Sequence, residues 1–181
     1  MMPVDLHFGL FTQNFSETLS ENIALLWLRA MAASNLAWLR EHPEATGPYS
    51  GKIKYIRECD TQHWLPIPEL HRQRRVYDRN NTVVMEAGGD CKDLATYAVA
   101  WYYRLGERMK AEALRRIAAG QPSGKILRAA KILMSVKVDL VHSNSGFFRY
   151  HVRCKWPNGQ IEDPSDKLGM NRNGLREIPQ S

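Results

Sequence analysis

The segment Gly88-Gly89-Asp90-Cys91-Lys92-Asp93 constrains this chain more than any other part of it. Two glycines allow a tight backbone approach, and Asp90 is a strong helix N-cap. The apolar residues that follow, Leu94, Ala95, Ala98, Trp101, Tyr102 and Leu105, recur at helical spacing. The pattern predicts a helix that begins at Cys91 and uses Gly106 as its C′ residue. Asp93 adds negative charge to the first turn.

A cysteine at a helix start has a chemical use. The thiolate is the reactive form, and a free thiol that titrates near about 8.5 is mostly protonated at neutral pH. The amides of the first turn have no helical partners, so they can stabilise a thiolate or the oxyanion formed when an acyl carbon is attacked. The competing role for Cys91 is that of a small buried core residue. The three cysteines, Cys59, Cys91 and Cys154, form no CxxC pair. An odd count leaves at least one thiol free and argues against a disulfide framework or a structural zinc site.

The order of elements predicts an α+β fold, with helices first and strands last. Residues 19–41 carry Leu19, Ile23, Leu26, Trp27, Ala30 and Leu36 near helical spacing, with Thr18 and Glu21 in capping-box register and Pro43 as the stop. Trp27 and Trp38 are assigned to the core. KIKYI at 52–56 reads as a short strand, and residues 60–90 as loops and short helices. Residues 107–134 read as one or two basic helices divided at GQPSG. VKVDLVH, FRYHVRCKW and QIEDP read as strands, with a turn at PNG.

The length of that turn decides whether His151 and Asp163 can cooperate. A two-residue turn would put them on opposite faces. Trp156-Pro157-Asn158-Gly159-Gln160 fits a three-residue loop better, with Gly159 in the left-handed bulge position. Trp156 then faces Gln160, Arg153 faces Asp163, and His151 and Asp163 become diagonal neighbours within side-chain reach. His151 also suits a purely sheet-bonded role, and Asp166 is the competing carboxylate. His142 and His63 are weaker bases.

GGDCKDLATYAVAWYYRLG resembles the motif that opens the nucleophile helix of transglutaminase-like, papain-type cysteine enzymes. YHVRCKWPNGQIEDPS resembles their histidine strand and the Asp-Pro-Ser/Thr strand after it. The resemblance spans about residues 60–168. It implies a papain-like fold in which the nucleophile helix packs on a C-terminal antiparallel sheet, with an extra N-terminal helix. It also implies a Cys91, His151, Asp163 triad and an oxyanion hole formed by the Cys91 amide and a second donor.

For that second donor, HWLPIPEL resembles a tryptophan-then-proline segment upstream of the cysteine in some bacterial members. Trp64 is the first candidate and Gln62 the second, while a core role for Trp64 stays open. Residues 107–134 depart from compact members, which have a short link there. The family implies a peptide or protein substrate, attacked through a thioester, and no cofactor. Hydrolysis is the favoured outcome, as in small bacterial or phage-encoded peptidases. A crosslinking transglutaminase and a structural module of a phage particle, bound to virion proteins, are the alternatives. Metal binding through Cys91 and His151 lacks a full ligand set.

Composition sets the outer limits. Hydrophobic residues at 44% and charged residues at 24% exclude wholesale disorder. The 181 residues suit one domain. No apolar run approaches the roughly 20 residues of a membrane span, and no signal-peptide pattern opens the chain, so a cytoplasmic protein is expected. The formal charge of +6 comes largely from 71–79 and 104–131. It suggests an anionic partner, with plain solvated faces as the competing reading.

Overall fold

A helix that starts at Cys91 organises the molecule. In the computed structural model, which describes residues 17–51, 53–56, 64–77, 82–142, 150–170 and 176–177, this helix, α3, runs over Cys91–Ala118. The other helices are α1 (Glu17–Glu41), α2 (Ile67–Leu70), α4 (Gly124–Leu133) and α5 (Pro164–Lys167). The strands are β1 (Ile53–Tyr55), β2 (Arg74–Tyr77), β3 (Val83–Gly89), β4 (Lys137–His142), β5 (Tyr150–Lys155), β6 (Ile161–Glu162) and β7 (Arg176–Glu177). The architecture is mixed α+β, with sheet orders β1-β3-β2-β7 and β4-β5-β6. The second sheet is antiparallel throughout, whereas β1 pairs with β3 in parallel. No helix among the described residues is long and apolar enough to cross a membrane.

The first turns of α3 are apolar on both flanks because packed layers lie on both. Ala95 and Ala98 pack with Leu28 and Met31 of α1 and with Val138, Val152 and Cys154 of the β4-β5-β6 sheet. Leu94, Tyr97 and Ala100 meet Leu39, Ile53, Ile67 and Leu70. The small alanines let the C-terminal sheet come close to the helix axis. The helix that begins at Cys91 therefore packs on a C-terminal antiparallel sheet, with the N-terminal helix α1 against it.

Several sequence expectations need correction. Residues 60–90 are less irregular than expected, because β2 and β3 form an antiparallel pair in which Val76 faces Val84. Their pattern is hard to read because Val83 and Met85 are exposed, so no apolar face stands out. The helix does not stop at Gly106: α3 continues to Ala118, and Gly106 is the point where α4 crosses it. A Cβ there would lie 2.6 Å from Met134 Cγ and 2.9 Å from the Ala130 carbonyl oxygen. In α1 the buried face is Leu28, Met31, Ala32, Asn35 and Leu39, while Leu26 is 66% exposed and Ala30 also faces solvent. Asn35 is buried because its amide donates to the Thr96 hydroxyl of α3. The segment after Asp163 is the short helix α5, not a strand.

The two glycines before the cysteine are required by contact. At Gly88 (φ +154°) a Cβ would lie 1.9 Å from the Lys54 carbonyl oxygen of β1. At Gly89 it would lie 2.5 Å from Leu70 and 2.8 Å from the Asp93 carboxylate. Gly88→Ala should lower unfolding free energy by about 3 kcal/mol, since backbone must move to relieve the overlap. Gly120→Ala, left-handed but with open space around it, should lose only about 1 kcal/mol. Urea denaturation of the two variants checks the order.

Candidate active site

Cys91 is the first residue of α3, held by a complete capping box. Asp90 Oδ1 accepts from the Lys92 N–H at 3.0 Å and the Asp93 N–H at 3.4 Å, and the Asp93 carboxylate accepts from the Asp90 N–H at 3.2 Å. The Leu94 amide already bonds to the Asp90 carbonyl. Within this first turn the Cys91 N–H is the donor not spent on the cap, which suits it to an incoming oxyanion.

The side chain differs from the sequence expectation of a stabilised thiolate. Burial pushes the Cys91 thiol up to about 12, and the neighbouring Asp90 carboxylate pushes the same way. The Val152 N–H, donated towards the sulfur, and the Lys92 ammonium oppose this, and Asp93 adds to the rise. The helix start carries two carboxylates of its own, and its Lys92 and Asp93 amides are occupied. The resting thiol is therefore neutral. The residue keeps partial exposure while its sulfur lies against β5 at Val152, the position next to His151.

The hairpin has the expected register. Trp156 N–H donates to the Gln160 carbonyl at 2.9 Å, Gly159 has φ +85°, and Cys154 faces Glu162. His151 and Asp163 meet directly, with Nε2 at 2.5 Å from Asp163 Oδ2. This contact occupies Nε2 and leaves Nδ1 as the nitrogen for another partner. Asp163 Oδ1 also caps α5, accepting from the Ser165 N–H at 3.0 Å and the Asp166 N–H at 3.4 Å. Burial works against the charge on Asp163, but His151 and these two amides outweigh it and hold the carboxyl below its ordinary range. Asp166 is exposed and contributes its backbone N–H to this arrangement.

Trp64 packs against the same core cluster as Cys91. Its indole Nε1 is buried without a hydrogen-bond partner among the described residues, an unusual state for a tryptophan donor. The segment is fixed by Asp93, whose fully buried carboxylate also accepts from the Leu65 N–H at 2.9 Å. Sequence reasoning gave Asp93 only its helix-end charge and missed this second task, because Leu65 is distant in sequence. Gln62, His63 and Cys59 lie outside the described residues, as does the side chain of His142.

A second buried carboxylate was not anticipated. Glu162, next to Asp163 but facing the core, accepts from Tyr49, from Tyr102 at 2.7 Å, from Trp156 Nε1 at 3.0 Å and from Lys167 at 3.0 Å. Burial opposes its charge, but these donors keep the carboxyl below its ordinary range. The donors are scattered along the chain, so no local motif signals the cluster. An open hollow of about 430 Å³ lies beside Asp163 between Arg153, Ile161, Asp166 and Lys167. Its lining includes neither Cys91 nor His151.

Comparison with protein families, with curated proteins and with solved structures finds no match for this chain.

Asp163→Asn should cost about 2 kcal/mol at neutral pH, through the lost charge on the histidine bond and the weakened cap. Because its folded pKa is depressed, that contribution is present above the unfolded value near about 3.9 and is lost as pH falls through the folded value. The gap between wild type and variant should therefore close in acid, whereas Asp166→Asn should stay near wild type at every pH. Denaturant titrations over a pH series measure both. A second outcome concerns the thiol. Iodoacetamide should modify Cys91 more slowly than a free cysteine at neutral pH, and the rate should keep rising above about 8.5, where a free thiol levels off. Peptide mapping of the labelled folded protein reads this directly.

Proposed function

We propose that the chain is a cysteine-dependent acyl-transfer enzyme of the transglutaminase-like, papain-type class, acting on a peptide or protein amide. The observation that carries this reading is the convergence of three features. Cys91 starts a capped helix, its sulfur lies against the Val152 amide, and the preceding residue on that strand, His151, is bonded to Asp163.

The neutral thiol determines how the reaction starts. His151, held through Nε2 by Asp163, takes the Cys91 proton on Nδ1 as the sulfur bonds to the substrate carbonyl carbon. The carbonyl oxygen becomes an oxyanion, received by the Cys91 N–H and the Trp64 indole N–H. Collapse breaks the C–N bond, and His151 returns its proton to the leaving amine. Water then gives a proton to His151 as its oxygen attacks the thioester carbon, the C–S bond breaks, and His151 returns the proton to the sulfur. The products are a carboxylic acid and the free thiol. An amine in place of water would give transamidation. Hydrolysis is the reading adopted, on the resemblance to small bacterial and phage-encoded peptidases.

One observation favours a second reading, a structural or assembly module of a phage particle that keeps the fold without turnover. The Cys91 thiol, pushed up to about 12 by burial, is poorly reactive unless His151 assists it. The two readings separate in one experiment. Incubation with activated peptide esters, followed by intact-mass analysis, should show one acyl adduct on Cys91. The adduct should be absent in Cys91→Ala, and its formation should be slowed by about 100-fold or more in His151→Gln. Cys91→Ala should change unfolding free energy by no more than about 1 kcal/mol. No adduct on wild type, together with a large stability loss in Cys91→Ala, would overturn the acyl-transfer reading and favour a structural role for Cys91.

A further inference from the structure

The net charge of the chain resides in one substructure. Residues 107–137, the far half of α3 with α4 and the first residue of β4, hold eight Lys or Arg and two Glu, a surplus of six. The remainder holds seventeen residues of each sign, so it is neutral. The other basic stretch has much of its charge engaged: Arg74 donates to the Gly88 carbonyl and Arg72 lies 3.5 Å from Glu69.

In the hairpin the two carboxylates are already taken. Glu112 lies against Arg115 and Arg116, and Glu107 pairs with Arg40. Arg108, Lys110, Lys125, Arg128, Lys131 and Lys137 are exposed and have no carboxylate partner among the described residues. Aliphatic side chains are exposed among them: Leu114 at 52%, Ile117 at 50% and Ile132 at 49%. On α3, Lys110, Leu114 and Ile117 follow i, i+4, i+7 spacing, and on α4, Lys125, Arg128 and Ile132 follow i, i+3, i+7 spacing. Each helix thus carries a solvent-facing stripe of cations and aliphatics. Residues 114–122, around the turn, are exposed without interruption. No Phe, Tyr, Trp or His lies within residues 107–137.

We propose that the α3–α4 hairpin docks on an anionic lipid bilayer surface, its cations on the headgroups and Leu114 and Ile117 entering the interfacial layer. Charge complementarity alone would suit any polyanion. The exposed aliphatics choose the bilayer, because lipid rewards their burial and a phosphodiester backbone does not. Single-stranded nucleic acid would instead call for aromatic stacking, which the hairpin lacks. Cys91 and Ala118 lie at opposite ends of one helix, about 40 Å apart at 1.5 Å per residue. Docking through the hairpin therefore leaves the thiol end clear, and the inference stands whether or not Cys91 does acyl transfer.

Vesicle sedimentation of the full chain at low salt tests this. The protein should sediment with phosphatidylcholine vesicles containing phosphatidylserine and stay in solution with phosphatidylcholine alone. The triple variant Lys110→Gln, Lys125→Gln, Arg128→Gln should partition roughly 100-fold more weakly, at about fivefold per cation. Leu114→Ser with Ile117→Ser should weaken vesicle binding by roughly tenfold while leaving retention of duplex DNA or RNA unchanged. All these positions are exposed, so circular dichroism should match wild type. Failure to bind the anionic vesicles, or binding that neither variant set weakens, overturns the proposal. Retention of nucleic acid without vesicle binding overturns it too and makes the partner a phosphodiester polymer.

Discussion

The buried carboxylate of Asp93 is the point on which the candidate site depends. It has no solvent exposure and receives the Asp90 amide, the Leu65 amide and, at 3.6 Å, the Lys92 ammonium. Burying a carboxylate is costly unless donors surround it, and here the donors come from the cap and from the segment carrying Trp64. One side chain thereby sets both the angle at which the chain enters α3 and the position of the Trp64 backbone. Gly89 must be glycine because this same carboxylate occupies the space a Cβ would take.

A similar arrangement operates at the other end of the site. Glu162 and Asp163 are adjacent in sequence and point to opposite sides of the β6 end. The first anchors the strand to Tyr49, Tyr102, Trp156 and Lys167, so the second is delivered to His151 from a rigid base. Tyr102 belongs to α3, so the helix that presents Cys91 also holds the strand end that presents Asp163. The relative placement of thiol, imidazole and carboxylate is thus set by contacts outside the three residues themselves.

These supports explain the state of the thiol. The carboxylates that order the helix start also disfavour negative charge on the sulfur, and burial against β5 adds to this. Structural order at Cys91 is gained at the expense of spontaneous ionisation. The α3–α4 hairpin lies apart from this tension, since its surplus charge is spread over the far half of α3, α4 and Lys137, away from the helix start.

The sequence by itself determined the features whose causes are local. The N-cap and Gly-Gly approach at Cys91, the stop of α1 near Pro43, and the three-residue loop at Pro157-Asn158-Gly159 all follow from residues within a few positions of one another. That loop alone puts His151 and Asp163 on one face, because strand side chains alternate with a period of two. Only the tertiary structure decided that α3 passes through Gly106, since the α4 crossing needs the missing side chain there. It likewise decided that Asn35 is buried while Leu26 is exposed, that β2 and β3 pair within an apparently irregular stretch, and that Glu162 joins Tyr49 and Tyr102. It also reversed the expected ionisation of Cys91. A helix start favours a thiolate as a local matter, but desolvation and neighbouring carboxylates depend on what the fold packs around the sulfur, and here they prevail.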